Sequence, residues 1–330
     1  MPRSHVAGFL PAVTVVVALG AAPAAHATNP AQRPQQPVTY TAEAGGVYQL
    51  THPGQAWPGV DDFGCTPTAD HSRPVILLHG TGANGVNNWG TLAPKLINEG
   101  YCVFAPTYGA SPLFPGIGAT ARLADHVAEM ATYTDIVLAS TGAEQVDVVG
   151  HSQGATVGLA LAKTARPGKV GTLVSIGGFA GGTTAAMPGM SSLGELVDPD
   201  ALAAEYSHLI PDGPLPIPFP SMLDIGRDAP ASRELYADGH PFHDGTDYTL
   251  IASIWDGLVP PGLSFPPDEH SGVTRHVLQD TCPINGADHA SLYADPQTID
   301  LTLNALDPAT AVEPRCTATM PVIGMPGVVD

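Results

Sequence analysis

The stretch whose reading decides the fold is VDVVGHSQGATVGLA, residues 146–160. A short apolar run enters Gly-His-Ser-Gln-Gly and leaves into small, helix-compatible residues. Strand, tight turn and helix form the setting in which the serine of a G-x-S-x-G motif is lifted above a sheet as a nucleophile. Gly150 and Gly154 carry no side chain, so the turn can close tightly and strand and helix can approach each other. The N-terminus of the following helix favours negative charge as it develops. With 37 glycines in 330 residues, the five letters alone can arise by chance. A near-miss, GMSSLG at 189–194, has the wrong spacing and no preceding strand. The surrounding sequence must therefore decide whether Ser152 is a nucleophile.

Outward from this stretch, strand-like and helix-like segments alternate. PVILLHG (74–80), YCVFAPTYG (101–109), EQVDVVG (144–150), KVGTLVSIGG (169–178), DYTLIASIWD (247–256) and VTRHVLQD (273–280) read as six buried strands. Between them, WGTLAPKLINEG (89–100) reads as a short helix stopped by Gly100. Residues 119–141 place Leu123, Val127, Met130 or Ala131, and Ile136 and Val137 at near-helical spacing, with Gly142 as the stop. QGATVGLALAKTARPG (153–168) reads as a helix ended by Pro167-Gly168. DPQTIDLTLNAL (295–306) reads as a final helix capped by Asp295 ahead of Pro296. Continuous apolar strands alternating with helices predict an α/β fold with a mostly parallel central sheet covered on both faces.

The first 27 residues combine Arg3, an apolar run from Val6 to Gly20 and Ala25-His26-Ala27, the pattern of a secretory signal peptide. Residues 28–37 read as a flexible Pro/Gln-rich leader, and 38–330 as a single domain. One segment, 181–246, is rich in Pro and Gly, contains PDGPLPIPFPSML, and is long for a connection. It is expected to be an insertion ahead of the strand that carries the acid, and its LPIPFPSML either walls or covers the pocket or simply covers the sheet.

The formal charge is −19, with 31 acidic against 12 basic residues. Neither nucleic acid nor an anionic lipid surface finds a basic footprint to dock on, and no stable membrane anchor is expected. Four cysteines, Cys65, Cys102, Cys282 and Cys316, in an exported chain favour two disulfides over a zinc site, because no C-x-x-C spacing is present. Of three possible connectivities, the sequential one (Cys65–Cys102 and Cys282–Cys316) is expected, since each pair brackets one local unit. The HPFHD stretch, residues 240–244, has H-x-x-H spacing, but Pro241 and the lack of further ligands argue against a metal. No nucleotide or flavin fingerprint is present, and no cofactor is expected.

A serine hydroxyl needs a base and an oriented acid. In the chain order serine, acid, histidine, His289 in GADHASLYADP follows the last strand and precedes the last helix, where the base belongs. His270 is a weaker choice; His240 and His243 lie in the insertion and His276 within a strand. Asp256, at the end of TLIASIWD, is the candidate acid, better placed than Asp224 or Asp280; Asp288 adjoins the base but would point elsewhere. The DG pair at Asp256 also marks a turn, and both readings can hold. The oxyanion donors are expected to be the N–H of Gln153 and, from the HGTGANG loop, that of Thr81, with its hydroxyl as a further donor. As a phosphate cradle that loop lacks both the Lys-Ser/Thr and the G-x-G-x-x-G pattern.

DDFGCTPTADHSRPVILLHGTGANGVNNWGTLAPKLINEGYCVFAPTYG (61–109), VDVVGHSQG (146–154), SIWDGLVPP (253–261), LQDTCPINGADHASLYADPQTIDLTLNALDP (278–308) and the late PRC (314–316) resemble, in order, the blocks of bacterial secreted class 2 lipases of the α/β-hydrolase superfamily. The resemblance implies an α/β-hydrolase fold, a Ser152–Asp256–His289 triad, Thr81 and Gln153 as oxyanion donors and two disulfides. The GTG loop is also similar to that of the fungal B-type lipase with a threonine-based oxyanion hole. It implies a secreted carboxylic ester hydrolase acting on an ester or lipid. A polyester or cutin-type hydrolase and an acyltransferase would use the same triad, and a binding protein that lost activity is the remaining alternative. One departure stands out: many relatives continue after GHSQG with a further Gly and a Met, whereas Ala155-Thr156-Val157 follow here. This places the difference, on expectation, at the acyl pocket.

Overall fold

The computed structural model describes residues 29–182, 221–224 and 229–330. The signal-peptide stretch, the GMSSLG near-miss and much of the 181–246 insertion, including most of LPIPFPSML, lie outside the described residues.

Six strands form one sheet: β2 (Val75–Leu78), β3 (Val103–Phe104), β4 (Val146–His151), β5 (Val170–Ile176), β6 (Asp247–Ala252) and β7 (Val273–Val277). Their order is β3-β2-β4-β5-β6-β7, and every pairing is parallel. All residues of β2, β4 and β5 are buried, which is why these strands read as unbroken apolar runs and not as alternating ones. Alternation is present in three dimensions. Ile76, Leu78, Val148, Leu173 and Leu250 pack on one face with helices α3 (Leu123–Thr141) and α4 (Gln153–Ala160). Val75, Leu77, Val149, Val174 and Ile251 pack on the other face with α2 (Leu92–Asn98) and α5 (Pro296–Leu306).

The winding fixes where a site can form. From β2 the chain crosses one face through α2 to the edge strand β3. It then returns across the opposite face through α3 to β4, on the other side of β2. The connections leaving β2 and β4 therefore diverge to opposite faces, and a crevice opens between them at the carboxyl ends of the strands. Both HGTG and Ser152 lie at this point.

Local details depart from the sequence reading for identifiable reasons. Strand β3 is only two residues long, because the N–H of Ala105 turns to Asp61 Oδ1 at 2.8 Å instead of a neighbouring strand. Helix α3 starts at Leu123, not 119, since Ala119 sits at φ 53°, a left-handed conformation no helix continues through. On α3, Val137 is buried and Ile136 is half exposed, so the buried stripe runs through Val137 together with the polar His126 and Thr134. Gly142 ends the helix at φ 72°, its N–H bonded to Leu138 O, as a C-terminal glycine does. Helix α4 passes at Leu161 into a π-helical turn, Leu161–Ala165. Asp295 caps α5 by accepting the N–H of Thr298 at 2.9 Å.

A ribbon and a helix before β2 lie outside the alternating pattern of the sequence. An antiparallel ribbon pairs β1 (Thr39–Thr41) with β8 (Gly324–Val329); Pro326 and two glycines hide the strand signal in β8. Helix α1 (Ala44–Thr51) contains Gly45 and Gly46, poor helix formers. Gly45 is required there because a Cβ would lie 2.3 Å from Asn87 O. Both disulfides are present with the sequential pairing, Cys65–Cys102 and Cys282–Cys316.

On the α3 face of the sheet, His79 stacks on Tyr108 at 4.3 Å, and Tyr108 meets His126 edge-on. Both histidines are fully buried, and among the described residues neither ring nitrogen of His126 has a hydrogen-bond partner. Burial pushes both down to about 4, well under the ordinary histidine value of 6.5. Between pH 6.5 and 4 the folded chain thus binds fewer protons than the unfolded chain, and stability falls as pH falls through this window and is untouched above it. His126→Leu should flatten the fall: its urea midpoint, measured from pH 7 to pH 4, should drop less than that of the parent. Parallel curves would show that His126 does not contribute.

Candidate active site

Ser152 occupies φ 55°, ψ −125°, a conformation that costs a non-glycine residue about 1–3 kcal/mol. The surroundings enforce it. Its N–H donates to Ile176 O at the end of β5, 2.9 Å away. A Cβ on Gly150 would lie 2.5 Å from the backbone of Ala155, and one on Gly154 only 2.0 Å from Leu78 O. The two glycines let α4 leave the sheet directly over β2, which points the serine hydroxyl into the crevice.

The loop between β7 and α5 delivers His289 to this hydroxyl. His289 Nε2 is 2.9 Å from Ser152 Oγ, and its Nδ1 is 2.7 Å from Asp256 Oδ2. Asp256 sits in the turn after β6 with its side chain fully buried. Its Oδ1 accepts the N–H groups of Leu258 (2.9 Å) and Val259 (2.7 Å). The Asp-Gly turn therefore also orients the carboxylate, leaving Oδ2 for the imidazole. A carboxylate accepting Nδ1–H sets the tautomer with a lone pair on Nε2, the state that can take a serine proton.

The His289 loop is braced from below. The Cys282–Cys316 disulfide closes it to the C-terminal segment. Asn285 Nδ2 donates to buried Asp295 at 3.0 Å and to Gln297 Oε1, and the Ser253 hydroxyl donates to Ala287 O at 2.5 Å. Gln153 is the first residue of α4, so its N–H has no acceptor within the helix. Thr81, in the loop after β2, donates from Oγ1 to Gln153 Oε1 at 3.2 Å. This contact ties the two expected oxyanion donors together.

A cavity of about 640 Å³ opens over these residues. Val47, Leu50, Phe179, Leu258 and Val259 supply most of its apolar wall. Among the described residues its lining holds one carboxylate, Glu43, and no lysine or arginine. None of Ala155, Thr156 and Val157 lines it. All three are buried on α4, with Val157 in the sheet core and Ala155 against Gly178. At Ala155 and Val157 the departure from the family pattern thus packs on the sheet side of α4.

The other acids and histidines have different partners. Asp224 is buried in a two-pronged contact with Arg122, 2.8 Å on each oxygen, and accepts the N–H of Leu123. It thereby docks the insertion on the start of α3. Asp288 turns away from the base to the N–H groups of Ser291 and Val322. Asp280 lies in the short helix after β7. His240 packs against Phe242 and His270, and His276 lies within β7. Two residues at the site escaped the sequence reading: His151, which immediately precedes the serine, and Asn88. Both are buried; His151 lies inside the Gly-His-Ser-Gln-Gly motif, at a position that the G-x-S-x-G pattern leaves open to any residue.

The elbow geometry makes a prediction. Gly154→Ala should destabilise the fold by about 1–3 kcal/mol through overpacking and abolish reaction of Ser152 with a fluorophosphonate. Gly262→Ala, where a Cβ meets nothing within 4 Å, should do neither. Urea melts and labelling rates of the two variants check this.

A family model described as alpha/beta hydrolase fold matches residues 73–204. A pyrrolizixenacetamide deacetylase from Xenorhabdus hominickii is 33% identical over 107 residues, 32% of this chain and 37% of that protein. Among solved structures, Aspergillus fumigatus lipase B superposes with a TM-score of 0.51 at 19% identity, covering 84% of this chain and 64% of that one. The mature form of the Bacillus licheniformis lipase BlEst2 gives 0.48 at 14% identity, covering 73% and 94%. The chain thus spans little more than a third of the deacetylase and just under two thirds of the Aspergillus lipase. The matched segment runs from the start of β2 past the Ser152 elbow, and together with the parallel sheet it identifies the chain as a protein of the alpha/beta-hydrolase fold.

Proposed function

We propose that this chain is an exported serine hydrolase that cleaves carboxylic esters through an acyl-enzyme. The observation that carries the reading is the continuous relay from Ser152 Oγ through His289 to buried Asp256, with spacings of 2.9 and 2.7 Å. Ser152 Oγ attacks the ester carbonyl as its proton passes to His289 Nε2. The resulting oxyanion is held by the N–H groups of Gln153 and Thr81, with the Thr81 hydroxyl beside them. Collapse expels the alcohol, which takes the proton from Nε2. Water then attacks the acyl-enzyme, gives its proton to Nε2, and releases the carboxylic acid as Ser152 regains its hydrogen. Asp256 stays ionised and stabilises the imidazolium formed in both halves.

The cavity size falls in the range of small-molecule sites. With an apolar wall and Glu43 as the charged group among the described lining residues, the crevice favours neutral esters over anionic ones. A medium or long acyl chain, and hence lipase or carboxylesterase activity, fits this wall. Residues 38–330 form the catalytic domain, residues 1–27 are the signal peptide removed on export, and residues 181–246 are an insertion ahead of the strand that leads to Asp256. The two disulfides support an oxidising destination. Among the described residues no helix is long and apolar enough to cross a membrane.

With p-nitrophenyl esters of graded chain length, Ser152→Ala should lose about 10³-fold or more in kcat, and Asp256→Asn should lose a comparable factor because the imidazole tautomer is no longer fixed. Parallel arms with an N-acyl anilide and with an added acceptor alcohol assay amide cleavage and acyl transfer. A Ser152→Ala protein as active as the parent, or a parent that cleaves no ester, would overturn the reading.

A further inference from the structure

His151 is a buried histidine at the heart of the site that the relay does not use. Its ring lies between two loops. Nε2 is 3.1 Å from the backbone carbonyl oxygen of His289, and Nδ1 is 3.1 Å from Asn88 Oδ1. The same Asn88 oxygen accepts the N–H of Gly80 at 3.1 Å, in the loop that presents Thr81. The ring also packs against His289 (4.9 Å between centroids) and Tyr293 (4.7 Å). We propose that His151 is a positioning residue: by donating from Nε2 to the backbone carbonyl of His289 it fixes the segment that carries the base, so that Nε2 of His289 keeps one geometry toward Ser152 Oγ.

The inference rests on the hydrolase reading given above, and proton counting sharpens it. Burial holds the His151 ring well below the ordinary histidine range, so it is neutral and carries one N–H. It can donate to only one of its two oxygen neighbours at a time. The tautomer protonated on Nε2 donates to His289 O and restrains the base; the other tautomer grips only Asn88. In the first tautomer Nδ1 is an acceptor, like the Asn88 Oδ1 beside it, and that oxygen takes its hydrogen from the Gly80 N–H. A side chain that keeps a donor at the Nε2 position alone should therefore preserve function. Glutamine reaches about that far, asparagine reaches only as far as Nδ1, and leucine fills the space without a donor.

The test is steady-state hydrolysis of a p-nitrophenyl ester by the parent, His151→Gln, His151→Asn and His151→Leu. Rates are normalised to sites titrated with a fluorophosphonate, and urea midpoints are measured in parallel. The expected result is a fall in kcat of about 10- to 100-fold for Asn and Leu, the scale of a misplaced catalytic group, with KM unchanged. His151→Gln should retain most of kcat, and these differences should not follow the urea midpoints. Equal losses in all three variants, no loss in any, or a change confined to KM would overturn the proposal. If the Leu variant does not fold, the comparison of Gln with Asn still decides. A parent that neither hydrolyses the ester nor is labelled at Ser152 would mean that the hydrolase reading itself had failed, and the proposal with it.

Discussion

The strained backbone at Ser152 is the constraint around which the site is built. A residue at φ 55° pays for itself only where its surroundings leave no alternative. Here the N–H is held by the end of β5, Gly154 lies against the carbonyl of Leu78 in β2, and Gly150 against Ala155. Three adjacent strands and the first turn of α4 thus meet at one residue. Because β2 and β4 send their connections to opposite faces of the sheet, the serine hydroxyl emerges at the only kind of place where a doubly wound sheet opens a crevice. The apolar cores on both faces make this corner rigid, and the rest of the site is a matter of bringing loops to it.

Those loops are held by polar contacts more than by apolar ones. The turn after β6 uses two backbone N–H groups to aim Asp256. The loop carrying His289 is tied through Asn285, Asp295 and the Cys282–Cys316 bridge. Asn88 and His151 lie between the loop at Gly80 and the backbone of His289. Buried polar groups in such a network are costly when unpaired, so each contact also restricts the loop to one geometry. A catalytic constellation needs this restriction, since groups must be placed to a fraction of an ångström.

The parts legible in the sequence were those governed by short-range pattern. Continuous apolar runs marked β2, β4 and β5 because both faces of a parallel strand are buried, and Gly142 and Asp295 marked helix ends by their local chemistry. G-x-S-x-G in strand–turn–helix context, with Asp256 and His289 downstream, located the crevice before any coordinates. What stayed hidden depends on distant partners. Helix α1 was masked by Gly45, which is there only because Asn87 approaches it. Strand β8 was masked by Pro326 and its glycines, since an edge ribbon need not be apolar. The packing of Ala155 and Val157 stayed hidden too, because the facing of a short helix is set by the sheet beneath it. His151 stands in the motif at a position to which the pattern assigns no role, as its two partners come from 63 residues before and 138 residues after it.

The central claim is that Ser152, His289 and Asp256 act on one substrate atom together with the N–H groups of Gln153 and Thr81. A crystal structure of the protein inactivated by an alkyl phosphonate tests this most directly. The account predicts phosphorus bonded to Ser152 Oγ, its phosphoryl oxygen within hydrogen-bond distance of both N–H groups, and the His289–Asp256 contact intact. Phosphorus on any other residue, or a phosphoryl oxygen turned away from Gln153 and Thr81, would contradict it.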